Sequence, residues 1–260
     1  MIVTILIALL WVVVAILVVY TVRHYVFTFS RLFGRHRQPY VDITVAEWPP
    51  VTVFIPCHNE QQVITGSIEA LLAADYPRDR LTIIPIDDRS TDATGAILRD
   101  YAARYPALIK PVWRTGGMPG KAAALAEASA RVGSEVHLVF DADYIPGPKL
   151  LKQLVAPFFD PEVGAVMGRV VPQNVSRSLL TRLLDLERAG GYQVDQQARM
   201  NMGLVPQYGG TVGGVRREAL SSVGGWRTDT LAEDTDMTFR LLLRGWEVVY
   251  QNRSECYEEV

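Results

Sequence analysis

The sequence predicts an α/β domain, a mostly parallel sheet flanked by helices, carried behind one apolar amino-terminal helix. Three observations predict it. Residues 2–22 form an uncharged apolar run, short β-branched runs alternate with longer amphipathic stretches from residue 51 onward, and two clusters of acidic residues directly follow apolar runs. Parallel strands joined by crossover helices require an alternation of this kind.

The apolar run comes first in the chain. A helix over it would reach about 30 Å, enough to cross the hydrocarbon core of a bilayer. No basic residue precedes the run and no small-x-small cleavage site follows it, so it reads as a transmembrane anchor rather than a cleaved signal peptide. Arg23, Arg31, Arg35 and Arg37, with His24 and His36 among them, follow before the first acidic residue, Asp42. The positive-inside tendency then places the amino terminus outside and the rest of the chain in the cytosol, at the inner membrane if the source is a prokaryote. The expected organisation is an anchor over 1–22, a basic juxtamembrane linker over 23–49 and one compact domain over 50–260.

Composition narrows the partners. The formal net charge of −2 offers no domain-wide basic field for nucleic acid. The two cysteines, Cys57 and Cys256, have neither disulfide-framework nor zinc-type spacing, which fits ordinary thiols in a reducing compartment.

Within the domain, residues 51–55, 81–86, 108–113, 136–140 and 163–171 read as strands, and 61–74, 92–105, 121–132 and 148–159 as helices. Leu179, Leu183 and Leu186 recur at three- to four-residue spacing inside 176–199, which predicts one long amphipathic helix with a polar amino cap and its apolar stripe in the core. Gly209, Gly210, Gly213 and Gly214 mark a passage where the backbone turns sharply or approaches another group closely.

Three acidic clusters carry the chemistry. Asp87-Asp88-Arg89-Ser90-Thr91-Asp92 follows one apolar strand and Asp141-Ala142-Asp143 follows another. Ligands of open α/β sheets bind outside the carboxyl ends of strands, so both clusters face a crevice. Two carboxylates one residue apart suit a hard divalent cation, which prefers oxygen ligands and shares its shell with phosphates. Glu233-Asp234-Thr235-Asp236 opens the third cluster just before a helical pattern over 237–243, where a carboxylate either caps the helix or serves as a general base.

In order along the chain, Pro56-Cys57-His58-Asn59-Glu60, Asp87 to Asp92, Gly120-Lys121, Asp141-Ala142-Asp143 and Glu233-Asp234 resemble the family 2 glycosyltransferases of the GT-A fold, over about residues 50–258. The branch they resemble most is the membrane-bound β-glycan synthases, which include cellulose, chitin and poly-N-acetylglucosamine synthases. The resemblance implies a GT-A, Rossmann-like domain that moves a sugar from a UDP-sugar to a saccharide or lipid hydroxyl with inversion, using Mg2+ or Mn2+. It implies that Asp87 or Asp88 contacts the uracil, that Asp143, with Asp141 beside it, holds the metal, and that Asp234 is the base. Pro56, Asn59 and Glu60 would lie near the nucleoside, Lys121 and Asp141 near the donor phosphates, and Glu233 with Trp226 on the acceptor side.

Two features depart from that branch. Ala232 stands where the branch has Thr before Glu-Asp, and its Gln-x-x-Arg-Trp motif and following membrane spans are not found before Val260, so a fragment of a longer synthase is the expectation. A nucleotide-binding pseudoenzyme or a subunit of a membrane synthase complex is the alternative. A nucleotidyltransferase would need a glycine-rich phosphate loop after the first strand, and Pro56 to Glu60 is not one.

Overall fold

The structure is a computed structural model and describes residues 1–34, 47–230 and 232–259. Residues 35–46 of the expected basic linker, including Arg35, His36 and Arg37, lie outside the described residues. Helix α1 spans Ile2–Phe33, so it continues past the apolar run and carries Arg23 and Arg31 as helical residues.

After it the elements run β1 (Val51–Cys57), α2 (Ile64–Leu72), β2 (Leu81–Asp88), α3 (Thr94–Arg104), β3 (Val112–Arg114), α4 (Lys121–Ser129), β4 (Val136–Val139), β5 (Ile145–Pro146) and α5 (Leu150–Val155). Then follow β6 (Val163–Pro172), α6 (Leu179–Ala189), a π-helical turn (Gly190–Gln196), α7 (Gln197–Asn201), β7 (Gly213–Arg216), α8 (Arg217–Ser222), α9 (Glu233–Leu243) and β8 (Glu247–Glu258). They build one eight-stranded sheet in the order β3-β2-β1-β4-β7-β6-β8-β5. The first four neighbours are parallel; β7 enters antiparallel to both β4 and β6, and β6 pairs parallel with β8. The sheet is therefore mixed, with its parallel half intact.

Both faces of the parallel half are covered, which is why its strands read as unbroken apolar runs. Val51, Val53 and Ile55 of β1 pack with Ile64, Ile68 and Leu71 of α2 on one face, while Phe54 meets Leu125 of α4 and Ile84 of β2 on the other. Where the sequence predicts longer elements, proline sets the limit. Pro111 splits the expected strand 108–113 into a single bridge at Ile109 and the short β3, and Pro157 turns the end of the expected helix 148–159 into a 3-10 turn.

The expected helix 176–199 is also divided. Its amino end is capped as predicted: Ser178 Oγ accepts the Thr181 N–H at 3.1 Å, and Thr181 Oγ1 accepts the Ser178 N–H at 3.1 Å. After Ala189 the chain widens into the π-helical turn at Gly190-Gly191 before α7 resumes.

The leucine stripe reverses the expectation that it lies in the core. Leu179, Leu180, Leu183 and Leu186 are 73%, 65%, 53% and 66% exposed, and α6 turns Thr181 and Arg188 toward the protein instead. The inward face is polar because it borders a polar cavity rather than the apolar core. Leaving leucines in water forgoes about 1.5–3 kcal/mol each, so the arrangement is costly for a face that meets only solvent.

His137 on β4 is buried against the Phe54 ring at 5.3 Å, with no hydrogen-bond partner for either ring nitrogen. Burial, and then Arg217, depress its pKa from 6.5 to about 4. The folded protein thus binds fewer protons than the unfolded chain below pH 6.5, and stability is lost as pH falls from there toward 4, by about 3 kcal/mol in all. Thermal melting of His137→Leu should show a smaller drop between pH 7 and pH 4.5 than the unmutated protein shows; equal drops would mean that His137 does not drive the acid limb.

Candidate active site

The parallel register brings the acidic strand ends together. Cys57 of β1 lies opposite Asp87 of β2, and β4, which leads into Asp141, runs parallel to β1 on its other side. Asp87, Asp88 and Asp141 therefore leave the same edge of the sheet, the carboxyl edge at which such folds bind ligands.

The loops after β1 and β2 are laced together there. Asn59 and Arg89 both take left-handed backbone, at φ 58° and 62°. The Asn59 N–H donates to Ser90 Oγ at 3.0 Å, and its side-chain oxygen accepts the Thr91 N–H at 2.8 Å. The Glu60 N–H donates to Thr94 Oγ1 at 2.8 Å, and the Asp92 carboxylate accepts the N–H groups of Thr94 and Gln61. Asp92 thus ties the loop after β1 to the start of α3. Asn59 holds the cradle by its side-chain oxygen, and Pro56 lies half-buried at its base.

Asp87 and Asp88 differ sharply. Asp88 pairs with the buried Arg114 guanidinium at 2.9 Å, with Arg89 at 3.0 Å, and accepts the Gly120 N–H at 3.0 Å. Burial alone would raise its pKa, but the Gly120 N–H and the two arginines outweigh burial and hold it below the ordinary carboxylate value. Arg114 also reaches Glu127 of α4 at 3.0 Å and the Met118 carbonyl at 2.8 Å, so Asp88 ties β3 and the start of α4 to the edge. Removing one member of a buried pair of this kind costs about 3–5 kcal/mol. Asp87 accepts the Ser90 N–H at 3.0 Å through one oxygen, and its other oxygen faces Gly95, where a Cβ would come within 3.1 Å. Of the two, Asp87 is the carboxylate free of an ion pair among the described residues.

Asp141 is neutralised by Lys121, which opens α4 behind Gly120 and reaches it at 2.5 Å. Asp143 stands at the mouth of the cleft, yet the surrounding protein desolvates its carboxylate and Asp141 repels it, and both raise its pKa. Glu60 is raised by burial first, then by Asp143, Asp141 and Asp92. Among the described residues no cluster of three or more His, Cys, Asp or Glu closes into a metal cage of its own. Asp143, with Asp141 two residues before it, offers the carboxylate oxygens that a hard cation prefers.

On the other wall, Gly210 (φ 68°) lies so close to α9 that a Cβ there would stand 3.2 Å from the Asp234 Cβ and 3.7 Å from Glu233 Oε1. The glycine passage is thus where backbone meets the third acidic cluster. Gln207 donates to Thr235 Oγ1 at 2.6 Å, and the Tyr208 N–H to Thr238 Oγ1 at 3.0 Å, which fix the first turn of α9. Asp234 Oδ1 accepts the Thr235 N–H at 2.6 Å, whereas Asp236 is paired with Arg240 at 2.7 Å. The buried Tyr208 hydroxyl is raised first by burial, then by Asp234, Asp141 and Glu233, so the second and third clusters converge on it.

Beside them a cavity of about 500 Å3 is lined by Met167, Leu184, Arg188, Tyr192, Gln196 and Gly209. Arg188 projects from α6 to pair with the buried Glu258 at 2.6 Å. Glu258 is raised by burial, with Arg188 acting against it and Asp143 adding to it, so the cavity wall is electrostatically continuous with the acidic edge.

Arg114, Arg188, Tyr208 and Glu258 were not singled out by sequence reasoning; only the polar stripe of α6 could have pointed to Arg188. Trp226, expected on the acceptor side, is buried 6.4 Å from the Tyr208 ring and lines a small cavity with His137. Trp246 donates to Ser222 Oγ at 3.0 Å and packs over Gly164. Cys57 and Cys256 are buried free thiols.

A sheet whose carboxyl edge gathers acidic strand ends, faced by a glycine passage and an acidic helix start, defines a nucleotide-sugar transferase domain of the GT-A type. The family model described as "Glycosyltransferase like family 2" matches residues 49–260, and the chain belongs to that family. The chain is 32% identical over 239 residues to the "Probable glycosyltransferase YdaM" of Bacillus subtilis (91% of this chain, 56% of that protein). It is 36% identical over 208 residues to the "Beta-monoglucosyldiacylglycerol synthase" of Synechocystis (80% of this chain, 43% of that protein). It therefore spans about half the length of the curated relatives it matches. Among solved structures, the mannosyltransferase PcManGT from Pyrobaculum calidifontis, in complex with GDP-Man and Mn2+, superposes with a TM-score of 0.73 at 26% identity, covering 95% of this chain and 68% of that one. S. aureus TarS with UDP-GlcNAc superposes at 0.58 and 19% identity, over 81% of this chain and 58% of that one, a likeness of fold alone.

If Asp143 supplies an oxygen to a cation that also holds diphosphate, Asp143→Ala should weaken UDP binding in Mn2+ by about tenfold, or 1.4 kcal/mol, in calorimetry. Unchanged affinity would remove Asp143 from the metal site.

Proposed function

We propose that the domain transfers a sugar, with inversion, from a UDP-sugar held at the carboxyl edge to a hydroxyl presented in the neighbouring cavity. The observation that supports this is the packing of Gly210 on the half-buried Asp234, next to Gly209 in the cavity wall, with Asp234 and Asp141 both acting on the Tyr208 hydroxyl. Asp234 is the base, Asp143 with Asp141 holds Mg2+ or Mn2+, and Asp87 receives the uracil. A bound cation would offset the charge that builds on the departing diphosphate. Lys121 then has two partners to exchange, Asp141 without the donor and a phosphate oxygen with it. Asp234 takes the proton of the attacking hydroxyl as that oxygen bonds to the anomeric carbon, so an α-linked donor gives a β-linked product.

For the acceptor we favour a membrane lipid hydroxyl. The support is the docking of α1, by the Arg23–Asp195 pair at 2.6 Å, on the π-helical turn that lines the cavity. The relationship to a protein named as a glucosyldiacylglycerol synthase points the same way. On this reading α1 is a single span with the domain on its cytosolic side. A growing saccharide is the second reading, carried by the ordered motifs that resemble the β-glycan synthases, in which case the chain is the amino-terminal part of a longer synthase.

The test uses Asp234→Asn in protein reconstituted with diacylglycerol or with oligosaccharide. Asparagine keeps an oxygen for the Thr235 N–H, so melting and UDP affinity should stay near those of the unmutated protein, within about 1 kcal/mol. Transfer should fall by about 10²-fold or more. Normal turnover by the variant would exclude Asp234 as the base, and transfer to oligosaccharide alone would exclude the lipid acceptor.

A further inference from the structure

Helix α6 is amphipathic in the opposite sense to a helix packed on a soluble core. Its outward face carries Leu179, Leu180, Leu183 and Leu186, all exposed, while Thr181 is buried and donates to the Val175 carbonyl at 2.9 Å. Arg188 reaches inward to Glu258. Exposed Arg177 and Arg182 lie beside the stripe, and exposed Glu187 follows Leu183 by one turn at its other margin. An apolar face of this kind, flanked by long basic side chains, matches a helix lying in the plane of a bilayer surface.

The occupant follows from what adjoins the stripe. α6 runs directly into the π-helical turn and α7, and these segments are the ones on which α1 docks. Arg23 pairs with Asp195 and stacks its guanidinium 4.3 Å from the Phe27 ring, and Asn201 donates to the Ser30 carbonyl at 3.4 Å. Residues 2–22 of α1 remain exposed throughout, as an apolar helix made to cross a membrane would be. The apolar span and the leucine face are therefore parts of one docked unit, continuous through Asp195.

We propose that the Leu179, Leu180, Leu183 and Leu186 face of α6 lies in the headgroup–acyl boundary of the bilayer that α1 crosses. This rests on α1 being a membrane span. Its consequence is that the cavity under α6, with Arg188 and Tyr192 in its wall, opens beside the lipid surface. An acceptor hydroxyl on a lipid headgroup then enters without its acyl chains leaving the membrane.

Thiol-reactive bimane at Leu183→Cys and Leu186→Cys tests the inference in the whole chain, reconstituted into vesicles of phosphatidylcholine and phosphatidylglycerol. Both positions are exposed, so the substitutions should leave melting unchanged, and buried Cys57 and Cys256 leave the unmutated protein as the blank. Lipids spin-labelled high on the acyl chain should quench most of the emission at both positions, and aqueous iodide little of it. Quenching by iodide would place the face in water, and quenching by neither would place it under protein; either result overturns the inference. A label at Leu10→Cys reads the span separately. If lipid fails to quench Leu10, the anchor reading itself fails; if it quenches Leu10 but not Leu183 or Leu186, only the placement of α6 does.

Discussion

Like charges gathered at one edge of the sheet are the constraint around which this domain is arranged. Parallel pairing of β2, β1 and β4 sends Asp87, Asp88 and Asp141 out of the same edge, and the turn after β4 adds Asp143. Their mutual repulsion would oppose folding without partners. Asp88 has the buried Arg114, Asp141 has Lys121, and Glu258 has Arg188, each supplied by a different element. Glu60 and Asp143 remain raised, by burial first and by their acidic neighbours after it. The same ion pairs that offset the repulsion also position α4, β3 and α6 around the cleft.

The antiparallel strand β7 extends this logic to the other wall. It enters beside β4 where Gly214 leaves room for Leu138, whose side chain a Cβ would approach to 2.5 Å. That close passage carries the preceding chain, through Gly209 and Gly210, against the start of α9. A glycine passage and an acidic helix start thus meet because the backbone is bare at the points of contact. Strand β8 closes the far side and delivers Glu258 to Arg188.

Much of this was legible in the sequence, and the reasons for the rest are physical. The apolar runs that became β1, β2 and β4 announced their own ends, so the acidic clusters could be set at a sheet edge. Asp87 and Asp88 were not separable, since adjacent residues carry the same side chain; only the ion pairs with Arg114 and Arg89 assign Asp88 to the scaffold. Arg114 and Glu258 belong to the site through strand pairing between distant segments, which periodicity does not encode. The leucine spacing of α6 correctly showed an amphipathic helix with its cap, but a stripe does not say which side the protein lies on. The polar cavity beneath α6 reversed that side, and Gly190-Gly191 divided the helix at the turn where α1 docks.

The central claim is that the acidic edge becomes a nucleotide site only when a cation joins it. Thermal melting of the reconstituted protein with UDP alone, Mn2+ alone and both together tests this most directly, because a ligand that binds the folded state raises its melting temperature. The account predicts that UDP and Mn2+ together stabilise the protein by more than the sum of their separate effects. UDP that stabilises equally well in the presence of a chelator would contradict it.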